Sequence, residues 1–212
     1  MEMTLTKRNI GAGVYIVIDP SMAKPVLYNK LDAVLTEKIA ALQIWDNFGS
    51  EDGIPELINE LCGRCHHKDV PVLINNRWQY LKDTSLDGVH FDAVPNNYEQ
   101  IQTEVNRPFL CGITCTNDMQ PVIWAKDNGV DYISFCSMFP SATVESCELV
   151  SHNSVHRAKA IYDGPIFLAG GIKPDNVGGL RHLPYTGIAV ISGVMNSDAP
   201  GQSIHEYLKN EG

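Results

Sequence analysis

Short apolar runs with strand character alternate along the whole chain with longer amphipathic segments, and this alternation limits the fold more than any other feature. The strand-like runs are Val14–Ile18, Leu42–Trp45, Val70–Asn75, Gly88–Phe91, Phe109–Thr114, Asp131–Cys136, Pro165–Ala169 and Gly187–Ile191. Helical patterns are expected at Leu31–Ala41, Ile54–His67, Trp78–Thr84, Tyr98–Asn106, Met119–Asn128, Ser151–Tyr162, Pro174–Leu183 and Ser203–Lys209. Pro55, Pro121 and Pro174 stand where a first helical turn tolerates a missing N–H. Strands that alternate with helices build parallel βαβ units, in either a closed barrel or a doubly wound sheet. Eight such units in 212 residues, with no linker or low-complexity stretch, favour a single (β/α)8 TIM barrel over residues 1–212.

The last two strands end in glycine. Leu168-Ala169-Gly170-Gly171-Ile172 and Ala189-Val190-Ile191-Ser192-Gly193 are each followed by a short helical turn. In many barrels such ends bring main-chain N–H groups and a helix N-terminus to a phosphate, and a side chain there would hold the anion off. Gly170, Gly171, Ser192 and Gly193 are the candidate phosphate-binding residues. Tight strand–helix turns without a ligand are the bland alternative.

Charge narrows the partners. A net charge of -9 disfavours nucleic acid and anionic membrane, and a strongly anionic substrate would need local cations. Met1-Glu2-Met3-Thr4-Leu5-Thr6-Lys7 has no apolar leader core, and no apolar run reaches bilayer-spanning length. The six cysteines are then read as reduced thiols of a cytoplasmic protein. Cys62-Gly63-Arg64-Cys65-His66 matches the C-x-x-C-H haem pattern, with His67 beside it, but it lacks an export context and a second ligand pair, so ordinary helix-end cysteines are favoured. Asp46, Glu51 and Asp52 read as a solvated loop, and Cys111, Cys115 and Cys136 as packing residues at strand ends.

One ordered set of blocks carries a resemblance. Gln43, Leu73-Ile74-Asn75-Asn76-Arg77, Asp87-Gly88-Val89-His90, Gly112-Ile113-Thr114, Asp131-Tyr132-Ile133, Met138-Phe139-Pro140-Ser141, Gly170-Gly171-Ile172 and Ile191-Ser192-Gly193-Val194 follow one another with consistent spacing. Together they resemble the thiamine phosphate synthase family, which also contains thiazole tautomerases, from about Val14 to Asp198. The resemblance implies a barrel that joins hydroxymethylpyrimidine diphosphate to a thiazole phosphate and releases pyrophosphate. It implies Mg2+ and cationic side chains on the leaving group. It places Gln43, Asn75, His90, Thr114 and Ser141 as the catalytic candidates.

This chain departs from that pattern on the diphosphate side. Trp45 and Asn47 stand where the family has arginine and lysine, and Val144 stands in place of a further lysine. Asn76 and Pro95 occupy the two metal-aspartate positions, with Asp92 the nearest carboxylate. One lost leaving-group contact costs about 2.7–4 kcal/mol of barrier, by analogy with an oxyanion donor. Cys136-Ser137 stands where a tautomerase has its proton-transferring histidine. The expected ligand is therefore a small phosphate ester of the thiazole phosphate kind, with no assigned metal ligand. Synthase chemistry, a diverted reaction on a phosphorylated thiazole, and a non-catalytic carrier or regulator all stay open. A homo-oligomer is left open too.

Overall fold

The computed structural model describes residues 7–140 and 148–211. Eight parallel strands close on themselves in sequence order, β1 pairing with both β2 and β8. They are β1 (Gly13–Ile18), β2 (Ala41–Ile44), β3 (Val72–Asn75), β4 (Gly88–Phe91), β5 (Leu110–Cys115), β6 (Tyr132–Cys136), β7 (Ile166–Ala169) and β8 (Gly187–Val190). The helices are α1 (Lys24–Val34), α2 (Ile54–His66), α3 (Tyr98–Val105), α4 (Gln120–Asp127), α5 (His152–Ile161), α6 (Ser192–Met195) and α7 (Pro200–Glu211). The expected single (β/α)8 barrel is the observed fold.

Three expected helices are corrected. The first runs Lys24–Val34, not Leu31–Ala41, because Pro25 in its first turn sets the start and Leu27, Leu31 and Val34 form the buried stripe. Trp78–Leu81 is a 3-10 turn in the short connection from β3 to β4, not a full helix. The expected helix Pro174–Leu183 shrinks to a 3-10 turn at Val177–Leu180, where Gly178-Gly179 disfavours longer helix. The expected loop Ser137–Val150 falls partly outside the described residues.

The strand period of two divides the apolar residues between two cores. Outward side chains such as Val14, Ile16, Ile18, Ile74, Ile113 and Phe135 pack under the helices. Inward ones, including Tyr15, Val17, Leu73, Leu110, Tyr132 and Phe167, fill the barrel. Tyr15, Tyr132 and Phe167 meet in tilted and edge-on contacts with ring centroids 5.4–5.8 Å apart. Each such pair contributes about 0.5–1.5 kcal/mol beyond burial. Gly112 makes room for this plug, since a Cβ there would lie 2.0 Å from Tyr132 Cζ. The plug closes the barrel below its C-terminal mouth, so the inward residues one step further along the strands form the floor of a cavity.

The C-x-x-C-H cluster ends α2 as expected. Cys62 and Cys65 are fully buried against the barrel, and burial pushes the Cys65 thiol up to about 12. His66 Nε2 lies 2.7 Å from Asp87 Oδ2. Both thiols pack into the hydrophobic core. Among the described residues no helix is long and apolar enough to cross a membrane.

Candidate functional site

Strand register assembles the site. Val17 is paired with Gln43, Asn75 with His90, and Thr114 with Ser134, so polar side chains from successive strands point inward at one height. Above the aromatic plug they line an inner cavity of about 150 Å³ that includes Gln43, Trp45, Asn75, His90, Thr114 and Ser134. A wider cavity of about 610 Å³ opens over the ends of β7 and β8, lined by Gly170, Gly171, Lys173, Ser192, Gly193 and Tyr207 among others. Cys136, Ala169, Ala189 and Ile191 line both, so the two cavities adjoin at the mouth.

The outer cavity has anion-compatible geometry. Asn176 pins the turn after β7, donating to Gly171 O at 2.9 Å and accepting from Lys173 N at 2.8 Å. Among the described residues, no acceptor takes the main-chain N–H of Gly171, Ser192 or Gly193. Unpaired N–H groups beside a helical turn attract an anion. Lys173 adds a cation to the lining and Asp175 an opposing carboxylate. The glycines also have packing reasons. Gly170 and Gly171 hold φ of +85° and +66°, and a Cβ on Gly171 would lie 2.6 Å from Phe139 O. Tyr207 of α7 donates to Ile172 O at 3.1 Å, and a Cβ on Gly193 would fall 2.0 Å from the Tyr207 oxygen.

The inner cavity sits deeper than a surface mouth. Gln43, Asn75 and His90 are 7%, 3% and 5% exposed. His90 is held between two partners, Nδ1 lying 2.9 Å from Tyr132 OH and Nε2 2.9 Å from Thr114 Oγ1. Burial lowers its pKa to about 4, against a smaller upward pull from Asp92, so the ring is neutral. Trp45 packs against the barrel plug and lines the cavity.

Charges at the rim are spent on one another. Asp92 accepts from Asn75 Nδ2 at 2.9 Å and from Asn76 Nδ2 at 2.8 Å. Asp46 and Glu51 both hold Arg77, whose guanidinium lies 5.1 Å over the Phe48 ring. Arg77 in turn holds the Glu51 carboxyl below its ordinary range. Asp46, Glu51 and Asp52 lie in an exposed loop, as expected, and the structure adds that Asp46 and Glu51 clamp Arg77 there. Pro95 lies in the turn after β4 and offers no side-chain donor. Ser141 and Val144 lie outside the described residues.

The structure thus brings Gln43, Asn75, His90 and Thr114 together in one cavity and Gly170, Gly171, Ser192 and Gly193 in the adjoining one. Sequence reasoning missed Tyr15, Tyr132, Ser134, Tyr207 and the Arg77 clamp. The strand alternation that points Tyr132, Ser134 and Cys136 to one side was the available signal for two of these. Tyr207 arrives from the terminal helix, for which no local signal existed.

Fold and site together define a (β/α)8 barrel with a polar inner cavity and a glycine-rimmed outer one at its C-terminal face. The family model described as thiamine monophosphate synthase matches residues 14–194, and the chain belongs to that family. It is similar to the thiamine-phosphate synthase of Wolinella succinogenes, at 30% identity over 151 residues that cover 71% of this chain and 69% of the relative. The thiamine-phosphate synthase of Azoarcus sp. is 26% identical over 195 residues, 92% of this chain and 95% of that one. Among solved structures, the thiamine phosphate pyrophosphorylase of Pyrococcus furiosus superposes with a TM-score of 0.80 at 19% identity, covering 94% of this chain and 95% of that one.

Proposed function

We propose that this family member binds a phosphorylated thiazole, or a phosphate monoester of similar size, with its phosphate in the outer cavity. Gly171, Ser192 and Gly193 would supply N–H donors, with Lys173 the adjacent cation. One observation carries the reading: three main-chain N–H groups without an acceptor among the described residues belong to residues lining a cavity of about 610 Å³. The ring would extend toward the inner cavity, beside Trp45 and the polar groups of Gln43, Asn75, Thr114 and Ser134.

The Mg2+–diphosphate half of the family reaction is not supported by the groups present. A diphosphate–metal complex needs carboxylate oxygens for the metal and free cations for the phosphates. Asp92 spends both oxygens on amides, Arg77 is neutralised by two carboxylates, and no group of three or more metal-ligating side chains occurs among the described residues. Trp45, Asn47, Asn76 and Pro95 add no charge at the family positions they occupy. Membership of the synthase family favours the second reading, an active synthase.

Isothermal calorimetry with thiazole phosphate, and separately with pyrophosphate and Mg2+, tests the proposal alongside an assay for thiamine phosphate formation. Monoester binding with no measurable pyrophosphate–Mg2+ binding is expected. Tight metal-dependent pyrophosphate binding, or turnover at ordinary synthase rates, refutes the diphosphate half. Absence of monoester binding refutes the rest.

A further inference from the structure

Four hydrogen bonds run in line across the barrel, from Thr114 to His90, Tyr132, Tyr15 and Gln43, with lengths of 2.9, 2.9, 2.8 and 2.8 Å. Their directions are coupled, because a phenol has one proton and a neutral imidazole has one N–H. Tyr15 gives its proton to Gln43 Oε1, which can only accept. Tyr15 must then accept from Tyr132, and Tyr132 must accept from His90 Nδ1. That leaves His90 Nε2 bare, so Thr114 donates to it. Among the described residues, no buried side-chain polar atom lacks a partner. Gln43 Nε2 has no bonding partner among the described residues, so it is not one of the fully buried atoms and opens toward the cavity that Gln43 lines.

We infer that Tyr15, Tyr132 and His90 are positioning residues, a relay of fixed polarity that locks the Gln43 amide with Nε2 toward the inner cavity and holds the Thr114 oxygen there as an acceptor. The relay joins side chains from β2 and β5, which are not neighbouring strands of the barrel. Reversing it would require every member to turn at once: Gln43 flipped, both phenols rotated, His90 in its other tautomer and Thr114 donating into the cavity. The burial that keeps His90 neutral maintains the single N–H on which this depends. A matching ring edge places an acceptor opposite Gln43 and a donor opposite Thr114. This rests on the reading that the inner cavity receives the ring of the ligand, and it adds the hydrogen-bond polarity of that ring.

The tautomer of His90 tests the relay without any ligand. Nitrogen-15 NMR of histidine-labelled protein, with His90 assigned by loss of its signals in His90→Gln, is expected to show Nδ1 protonated and Nε2 bare. Tyr132→Phe removes the acceptor of Nδ1–H and should switch the ring to the Nε2–H form, donating to Thr114. Thr114→Val should leave Nδ1–H in place and serves if the tyrosine variant is poorly folded. An Nε2–H ring in the wild-type protein, or a switch in Thr114→Val, overturns the relay; so does an unchanged tautomer in folded Tyr132→Phe.

Discussion

Replacing Gly193 by alanine should destabilise the barrel through Tyr207 alone. Gly193 does not hold a positive φ, so the backbone accepts alanine, and the added Cβ meets the Tyr207 oxygen at 2.0 Å with Tyr207 Cζ next at 3.2 Å. Tyr207 is fully buried and tied to Ile172 O, so its ring cannot swing away freely. Overpacking of this kind costs about 1–3 kcal/mol. Alanine regains up to about 1 kcal/mol over glycine within α6, leaving a net loss between about 0 and 3 kcal/mol. Tyr207→Phe alone should cost about 1 kcal/mol, the usual net worth of the bond it deletes. In the double variant the hydroxyl is gone and the methyl has room. Its destabilisation should therefore fall short of the sum of the two single losses by about 1 kcal/mol or more. Urea denaturation of the four proteins without ligand gives each value. Additive losses in the double variant would refute the steric account.

His90 is buried neutral with its pKa lowered from 6.5 to about 4, so the unfolded chain binds its proton first as pH falls. The stability this group supports is complete above pH 6.5 and is lost between there and about pH 4. The loss reaches about 3 kcal/mol on the linkage relation and should be missing in His90→Gln when denaturation is followed from pH 7 to pH 4. A variant as pH-sensitive as wild type through that window would contradict the burial argument. Asp46→Asn with Glu51→Gln should release the Arg77 guanidinium and raise affinity for pyrophosphate in calorimetry; unchanged affinity would mean that the clamp is not what withholds that charge. Asn76→Asp should set a second carboxylate against Asp92, giving a destabilisation that shrinks as pH falls through the carboxylate range. A pH-independent effect in urea melts would show that lost hydrogen bonding, not charge, is responsible.

The β-strands were legible because burial on both faces writes a continuous apolar run, and all eight strands begin and end within two residues of their expected limits. Helix α1 was misplaced because its amphipathic stripe, Leu27, Leu31 and Val34, merges into the apolar residues that lead to β2. Pro25 was the cue that separated them. The two 3-10 turns read as helices because a short amphipathic run does not reveal how little chain is available to span the gap.

Gly170-Gly171 and Ser192-Gly193 announced themselves locally, as glycines at strand ends, and the sequence alone determined that they close β7 and β8 of a barrel. Their environment was decided in three dimensions: Tyr207 packs over Gly193 from a helix distant in sequence, and Asn176 fixes the turn after Gly171. The inner cavity shows the same division more sharply. Gln43, His90 and Thr114 could each be placed at a strand end from periodicity, but their bonding runs through Tyr15 and Tyr132, which lie 117 residues apart in the chain. Periodicity records which side of a strand a residue faces. Closure of the barrel sets what it meets there, and so it fixed the neutral His90, the occupied Arg77 and the orientation of Gln43.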